Sequence, residues 1–260
     1  MSGDIREVVR EKYGAIAEGR PAGAGCCGGS CGSDVLAEIG YSVEQASAIP
    51  EGANLGLGCG NPLAFAAVRP GETVLDLGSG AGIDCFLAAR EVGPTGHVIG
   101  VDMTHAMLEK ARANARSVGA SNIEFRLGEI EHLPIADASI DLVISNCVIN
   151  LSPDKPQVFR EIGRVLKPGG RLLVSDLVLT RPLTQEMQKS IDLYIGCVAG
   201  ASMKEEYLGM MREAGLESVD VVNESRYDVG IESLPKESPE RAAFDSVVSV
   251  KVRGVKPARA

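Results

Sequence analysis

The stretch TVLDLGSGAGIDCF, residues 73–86, decides the fold. TVLDLG reads as a short buried strand, Gly78, Gly80 and Gly82 follow at once, and a helix is expected from about Ile83 to Val92. A strand that turns into a helix through glycines lets the backbone approach a ligand with no Cβ in the way. Downstream the alternation continues: strand HVIGVD, a helix capped by Thr104 through MLEKARANARSVG, strand IEFRLG, an acidic loop, strand IDLVISNC, a helix from about Lys155 to Leu166 stopped by KPGG, and strand RLLVSDLVL. Helices between short apolar strands make βαβ units, hence an α/β fold with a mostly parallel twisted sheet and helices on both faces. Such sheets bind ligands at the carboxyl ends of their strands.

Three segments are expected: an N-terminal helix and Cys/Gly-rich loop over 1–70, the ligand-binding core over 71–180, and a C-terminal portion over 181–260. Residues 5 to 20 read as a charged helix, RPAGAGCCGGSCGSD as a mobile loop, and Ser42 to Ile49 as a short helix. Past Leu179 come a helix around Gln185 to Leu193, the glycine-containing IGCVAGA, a helix at Lys204 to Ala214, and two β segments, LESVDVV and FDSVVSVKVRG.

With 45% hydrophobic and 23% charged residues among 260, the composition is that of a soluble globular protein. A net charge of -9 argues against nucleic acid or an anionic membrane as partner, because phosphate contacts need clustered Lys and Arg. The charged opening MSGDIREVVREKYG and the lack of a long apolar run point to a cytoplasmic protein. Seven cysteines, an odd number scattered along the chain, are expected to be mostly reduced. Tryptophan is absent, so an aromatic cage has little material.

The glycine spacing is not that of the dinucleotide fingerprint: Ile83 stands where a third glycine belongs, and Gly82 comes one place early. Asp76 lies on the strand two residues before the first glycine, and Asp102 closes the second strand, where a carboxylate can accept from both hydroxyls of a ribose. This pattern over roughly 70 to 180 resembles the Rossmann-like class I S-adenosylmethionine-dependent methyltransferases. The resemblance implies that Gly78, Ser79 and Gly80 approach the methionine moiety and that Asp102 holds the ribose. It further implies Met103 against the adenine, Ile130 and Glu131 at the adenine edge, and Asn146 near the sulfonium.

That scaffold puts Cys147, in VISNCVINLSP, at the site of chemistry. Cys85, among Ile83, Phe86 and Leu87, reads as packing, whereas Cys59 and Cys197 each adjoin glycine, in surroundings that suit backbone mobility better than a core. No paired knuckles join the three thiols as zinc would require. A centre taking three sulfurs and no fourth ligand suits a soft trivalent ion with a lone pair, of which arsenite is the obvious case. LGCGNP, DLGSGAGIDCF, GVDM, SNCVINLSPDK, KPGG and GCVAGA, in this order, resemble the arsenite methyltransferases over about 5 to 225.

The resemblance implies methylation of arsenite and then methylarsenite by S-adenosylmethionine, with S-adenosylhomocysteine as product and detoxification as outcome. Cys59, Cys147 and Cys197 are then the arsenic-binding cysteines, and the C-terminal segment extends the arsenic site. Cys31 takes a redox or substrate-handling role in the N-terminal loop beside Cys26 and Cys27, and a thiol reductant such as glutathione or thioredoxin is a co-substrate. Leu57 and Gly58 stand where some members carry tyrosines, so a contact with the cofactor is missing or comes from Tyr13. No general base is needed, and His97, His105 and His132 read as structural or solvated. The competing readings are a carbon or oxygen methyltransferase of the quinone- or sterol-modifying type, and a metalloid-sequestering protein that has lost transfer.

Overall fold

The computed structural model describes residues 5–20, 33–227 and 238–258. Seven strands form one sheet: β1 (Thr73–Leu77), β2 (His97–Asp102), β3 (Ile123–Leu127), β4 (Ile140–Asn146), β5 (Leu166–Leu179), β6 (Glu217–Arg226) and β7 (Val247–Val255). Their order is β3-β2-β1-β4-β5-β7-β6, parallel from β3 to β5, with β7 antiparallel to both β5 and β6. The helices are α1 (Ile5–Ala17), α2 (Ser33–Glu38), α3 (Val43–Ala48), α4 (Leu63–Ala66), α5 (Ile83–Val92), α6 (His105–Ser117), α7 (Lys155–Val165), α8 (Gln185–Gln188), α9 (Ile191–Ile195), α10 (Lys204–Glu213) and α11 (Pro239–Phe244).

The strand period of two sends alternate residues to opposite cores. On one face Leu75, Leu77, Val143 and Val174 pack with Phe159 of α7 and Tyr207 of α10. On the other, Val74, Leu142, Ile144 and Leu173 pack with α5 and α6 through Leu87, Leu108 and Ala111. A third cluster, beyond the carboxyl ends of β4 and β5, gathers Cys59, Cys147, Leu177, Leu193 and Cys197. Because β1 lies between β2 and β4, its outgoing connection departs on one side while β4 leads away on the other, and a crevice opens between their ends.

The structure departs from the sequence-based expectation at several boundaries. The helix expected over Gln185 to Leu193 is two short ones, because Ser190 caps a fresh start by accepting from Leu193 N. Thr104 precedes α6 but makes no side-chain cap. KPGG lies inside β5 as an irregularity: Leu166 pairs with Ile140 before Arg171 pairs with Leu142, and Gly169, at φ +79°, donates to Lys256 O at 2.9 Å. Among the described residues no helix is long and apolar enough to cross a membrane.

One buried polar knot joins the sheet to its flanking elements. Asp176 on β5 is inaccessible; it accepts from Tyr207 Oη at 3.0 Å and from Asn150 Nδ2 at 2.8 Å. Burial pushes its carboxyl up to about 7, against the pull of the hydrogen bonds from Leu177 N and Tyr207. Tyr207 also meets Phe159 edge-on, ring centres 5.3 Å apart. Tyr207→Phe keeps the ring contact and strips one partner from a buried carboxyl, so it is expected to cost about 1–3 kcal/mol of stability in urea unfolding.

Candidate functional site

The glycine turn after β1 is closed by its neighbour strand: Gly78 N and Ser79 N both donate to Val101 O, at 2.8 and 3.1 Å. Gly78 and Gly80 have φ of +66° and +52°, which favour glycine. A Cβ on Gly78 would strike Val148, whereas one on Gly80 would meet nothing within 4 Å and so would stand in open space. Asp102 fastens this turn, its two oxygens accepting from Gly80 N at 2.9 Å and Thr104 N at 2.8 Å. Each oxygen keeps a lone pair, so the carboxylate can still accept from a ligand hydroxyl.

An open cavity runs over the turn. Of the cofactor residues expected from sequence, Asp76, Gly78, Ser79, Gly80 and Asp102 line it. Met103, Ile130, Glu131 and Asn146 line it too, as do Cys147, Cys197 and Tyr13. Cys59 is behind the wall, and Cys31, with Cys26 and Cys27, lies outside the described residues. Tyr13 reaches in from α1 with its hydroxyl 3.3 Å from Ile195 O. The Glu131 carboxylate is already engaged by Ser152 Oγ at 2.6 Å and Arg6 Nε at 3.3 Å.

Sequence reasoning picked out Asp76 but missed Asp84, its neighbour at the acidic end of this cavity. Asp84, on the first turn of α5, accepts from Tyr41 Oη at 2.7 Å and from Asn146 Nδ2 at 3.2 Å. Burial pushes its carboxyl up to about 6, although both hydrogen bonds pull it down. Asp76 is raised well above the usual range, first by burial and then by the Asp84 charge, and it accepts from the Cys85 thiol at 3.2 Å. Cys85 is thus buried as expected, yet is also a hydrogen-bond donor to the site. Among the described residues four carboxyl groups line the cavity, with Arg6 the cation there. A ligand carrying positive charge fits this donor set. Ser79 Oγ, buried with no partner among the described residues, is a further group on the cavity wall.

At the far end are the cysteines. Cys59 and Cys197, read as suited to mobile backbone, are instead buried at 3% and 4% exposure in the third cluster, because α9 and the strand ends close over them. Cys59 and Cys147, expected to be reduced, are joined as a disulfide with their Cα atoms 5.7 Å apart. Cys197 Sγ donates to Cys147 O at 2.8 Å. The three expected arsenic cysteines therefore meet at one place, although in this form their sulfurs do not make one ligand set. The sulfurs of Cys59 and Cys147 and a carboxylate oxygen of Asp176 lie within 4.8 Å of one another, a group that could serve as metal ligands only with the disulfide open. Cys147 and Cys197 have φ of +59° and +61°, a left-handed backbone costing an ordinary residue roughly 1–2 kcal/mol. Strain of that kind concentrates where geometry serves function.

Residues 68–215 match the family model of a methyltransferase domain. The chain is 49% identical to an arsenite methyltransferase of Halobacterium salinarum over 98% of its own length and 68% of that protein's. It is 39% identical to one from Aquipseudomonas alcaligenes, over 77% of this chain and 60% of the relative. Among solved structures, an arsenic(III) S-adenosylmethionine methyltransferase from Chlamydomonas reinhardtii superposes with a TM-score of 0.66 at 35% identity, covering 86% of this chain and 73% of that one. The chain thus spans about two thirds or less of the length of the two curated relatives. A glycine turn fastened by Asp102, an acidic cavity and a cluster of buried cysteines at its end agree with those likenesses, and the chain belongs to the arsenite methyltransferase family.

Proposed function

We propose that this protein transfers the methyl group of S-adenosylmethionine to thiolate-bound trivalent arsenic, arsenite first and methylarsenite second. The observation that carries the reading is that Cys59 packs in one buried cluster with Cys147 and Cys197, which line the cavity that begins at the glycine turn. S-adenosylmethionine, when bound, supplies an electrophilic methyl on a sulfonium and leaves as S-adenosylhomocysteine. Asp102 would hold its ribose hydroxyls, Gly78, Ser79 and Gly80 would border its methionine part, and Met103, Ile130 and Glu131 would flank its adenine. Asp84, once ionised, would supply negative charge toward a cationic cofactor. A quinone-modifying methyltransferase would share the turn but would leave the cysteine cluster without work.

A thiol reductant, glutathione or a thioredoxin-like protein, opens the Cys59–Cys147 disulfide with two electrons. Arsenite then exchanges its three hydroxyls for three thiols, and the three thiol protons leave with them as water. Cys147 and Cys197, on left-handed backbone and lining the cavity, would hold the arsenic so that its lone pair can attack the methyl group. Holding donor and acceptor together in this way can supply about 7–11 kcal/mol of the barrier. Methyl transfer raises arsenic from +3 to +5, and two thiolates that close a disulfide return two electrons and restore +3. Cys31 would take part in that exchange from the N-terminal loop. No base is required, since the attacking lone pair carries no proton.

Once one methyl is attached, arsenic offers two positions for thiolates rather than three. Cys147→Ser and Cys197→Ser are therefore expected to abolish turnover of arsenite and methylarsenite alike, and Cys59→Ser to lose arsenite turnover while keeping much of the methylarsenite step. Arsenic speciation after incubation with each substrate checks this, and full arsenite turnover by Cys147→Ser would sink the mechanism. Asp102→Ala should weaken cofactor binding about tenfold to a hundredfold in calorimetry, the worth of hydrogen bonds to a charged group.

Cofactor affinity should also depend on pH. A cation binds the ionised form of Asp84, whose carboxyl is pushed up to about 6, so affinity rises as pH climbs through that value and then levels. The same elevation makes this group's contribution to folding stability fall as pH rises from its unfolded value toward 6, because the folded state holds the proton longer. Asp84→Asn should flatten the affinity profile measured by calorimetry; an unchanged slope would remove Asp84 from the cofactor site.

A further inference from the structure

The backbone of Cys59 is gripped from two directions. Its N–H donates to Asn146 Oδ1 at 3.1 Å, from the cavity side. Its carbonyl accepts from Ser249 Oγ at 3.0 Å, from strand β7, 190 residues away in sequence. Ser249 Oγ in turn accepts from Lys251 Nζ at 3.1 Å. Both side chains are buried, at 1% and 7% exposure, and no carboxylate pairs with Lys251 among the described residues. A buried lysine without a counter-charge is costly, and an apolar side chain of its length would be cheaper. What it does here is directional. A serine hydroxyl has one hydrogen and rotates freely, but once Lys251 donates to its oxygen, its own hydrogen is left for Cys59 O. Charged ammonium and neutral amine both donate, so the arrangement does not depend on the protonation of Lys251.

Register explains why β7 can do this. Ser249 stands opposite Leu177 and Lys251 opposite Ser175 on β5, and Ser175 O accepts Cys147 N at 2.8 Å. The terminal strand is thus fixed to the same stretch of β5 that holds Cys147. Next to Cys59, a Cβ on Gly60 would lie 2.8 Å from Lys251 Cε and would collide with Ser175 Oγ, so the segment sits directly on these side chains.

We propose that Ser249 and Lys251 are positioning residues that keep Cys59 beside Cys147 when the disulfide is open, so that the third thiolate is in place before arsenite arrives. The proposal rests on the reading that Cys59 is the third arsenic ligand. Asn146 secures the same residue from the cavity side.

The test uses the full chain and two readouts. In the first, Cys59 and Cys147 are equilibrated with glutathione and its disulfide, alkylated and identified by peptide mass. In this exchange two protein thiols become a disulfide while one glutathione disulfide becomes two thiols. Losing one hydrogen bond that localises a thiol should lower the protein's equilibrium constant for closing the disulfide about three- to tenfold in Ser249→Ala and Lys251→Met. Lys251→Gln, which keeps a donor of similar reach, should restore most of it. In the second readout, the ratio of arsenite to methylarsenite turnover should fall in the same two variants and recover in Lys251→Gln. An unchanged closing constant in both variants would overturn the proposal, and so would a loss that Lys251→Gln fails to repair. A lowered closing constant with an unchanged turnover ratio would support the positioning and overturn Cys59 as third ligand.

Discussion

The crevice between the ends of β1 and β4 is the constraint from which the rest of this site follows. A parallel sheet whose connections leave on opposite faces at one point has no covering element there, so the strand ends remain available. The glycine turn occupies one lip and the β4 terminus, with Asn146 and Cys147, the other. Everything later in the chain, α9 with Cys197 and β7 with Ser249, is brought to that opening by packing on β5 and its neighbours.

Charge distribution suits the opening to one kind of ligand. Asp76, Asp84 and Asp102 are all held above their ordinary carboxyl range, and in each the first cause is burial. Burying several carboxyls without cations destabilises the empty protein, and a cationic ligand relieves that cost. Tyr41 and Asn146 link this acidic end to the cysteine end, since Asn146 Nδ2 donates to Tyr41 Oη at 3.0 Å while its Oδ1 accepts from Cys59. One amide therefore touches both halves of the site.

The cysteine end is built for geometry rather than for stability. Left-handed backbone at Cys147 and Cys197 costs free energy that an apolar cluster has to offset, and the surrounding Leu151, Leu177, Leu193 and Val198 supply such burial. Cys59 and Cys147 are joined there as a disulfide.

The sequence by itself determined the local elements and what they carry. Period-two apolar runs, the glycine turn and the ten- to fifteen-residue helical stretches located β1 to β4, α5 and α6, and the position of Asp102 at a strand end made it a cavity residue. Cysteine placement, read with the family resemblance, picked out three cysteines that share one buried cluster. Local pattern failed where a partner distant in sequence decides the outcome. Glycine neighbours suggested mobile backbone at Cys59 and Cys197, yet both are buried, because the covering comes from strand ends and a helix far along the chain. KPGG looked like a stop before β5 but is an irregularity within it, held by Lys256 near the other end of β7. Asp84 gave no signal on a helix expected to pack, and its role emerges only when Tyr41 and Asn146 converge on it. Ser249 and Lys251 alternate like any half-exposed strand. Only antiparallel pairing with β5 turns that face inward onto Cys59, since side-chain direction on a strand is set by register and register is a property of the folded sheet.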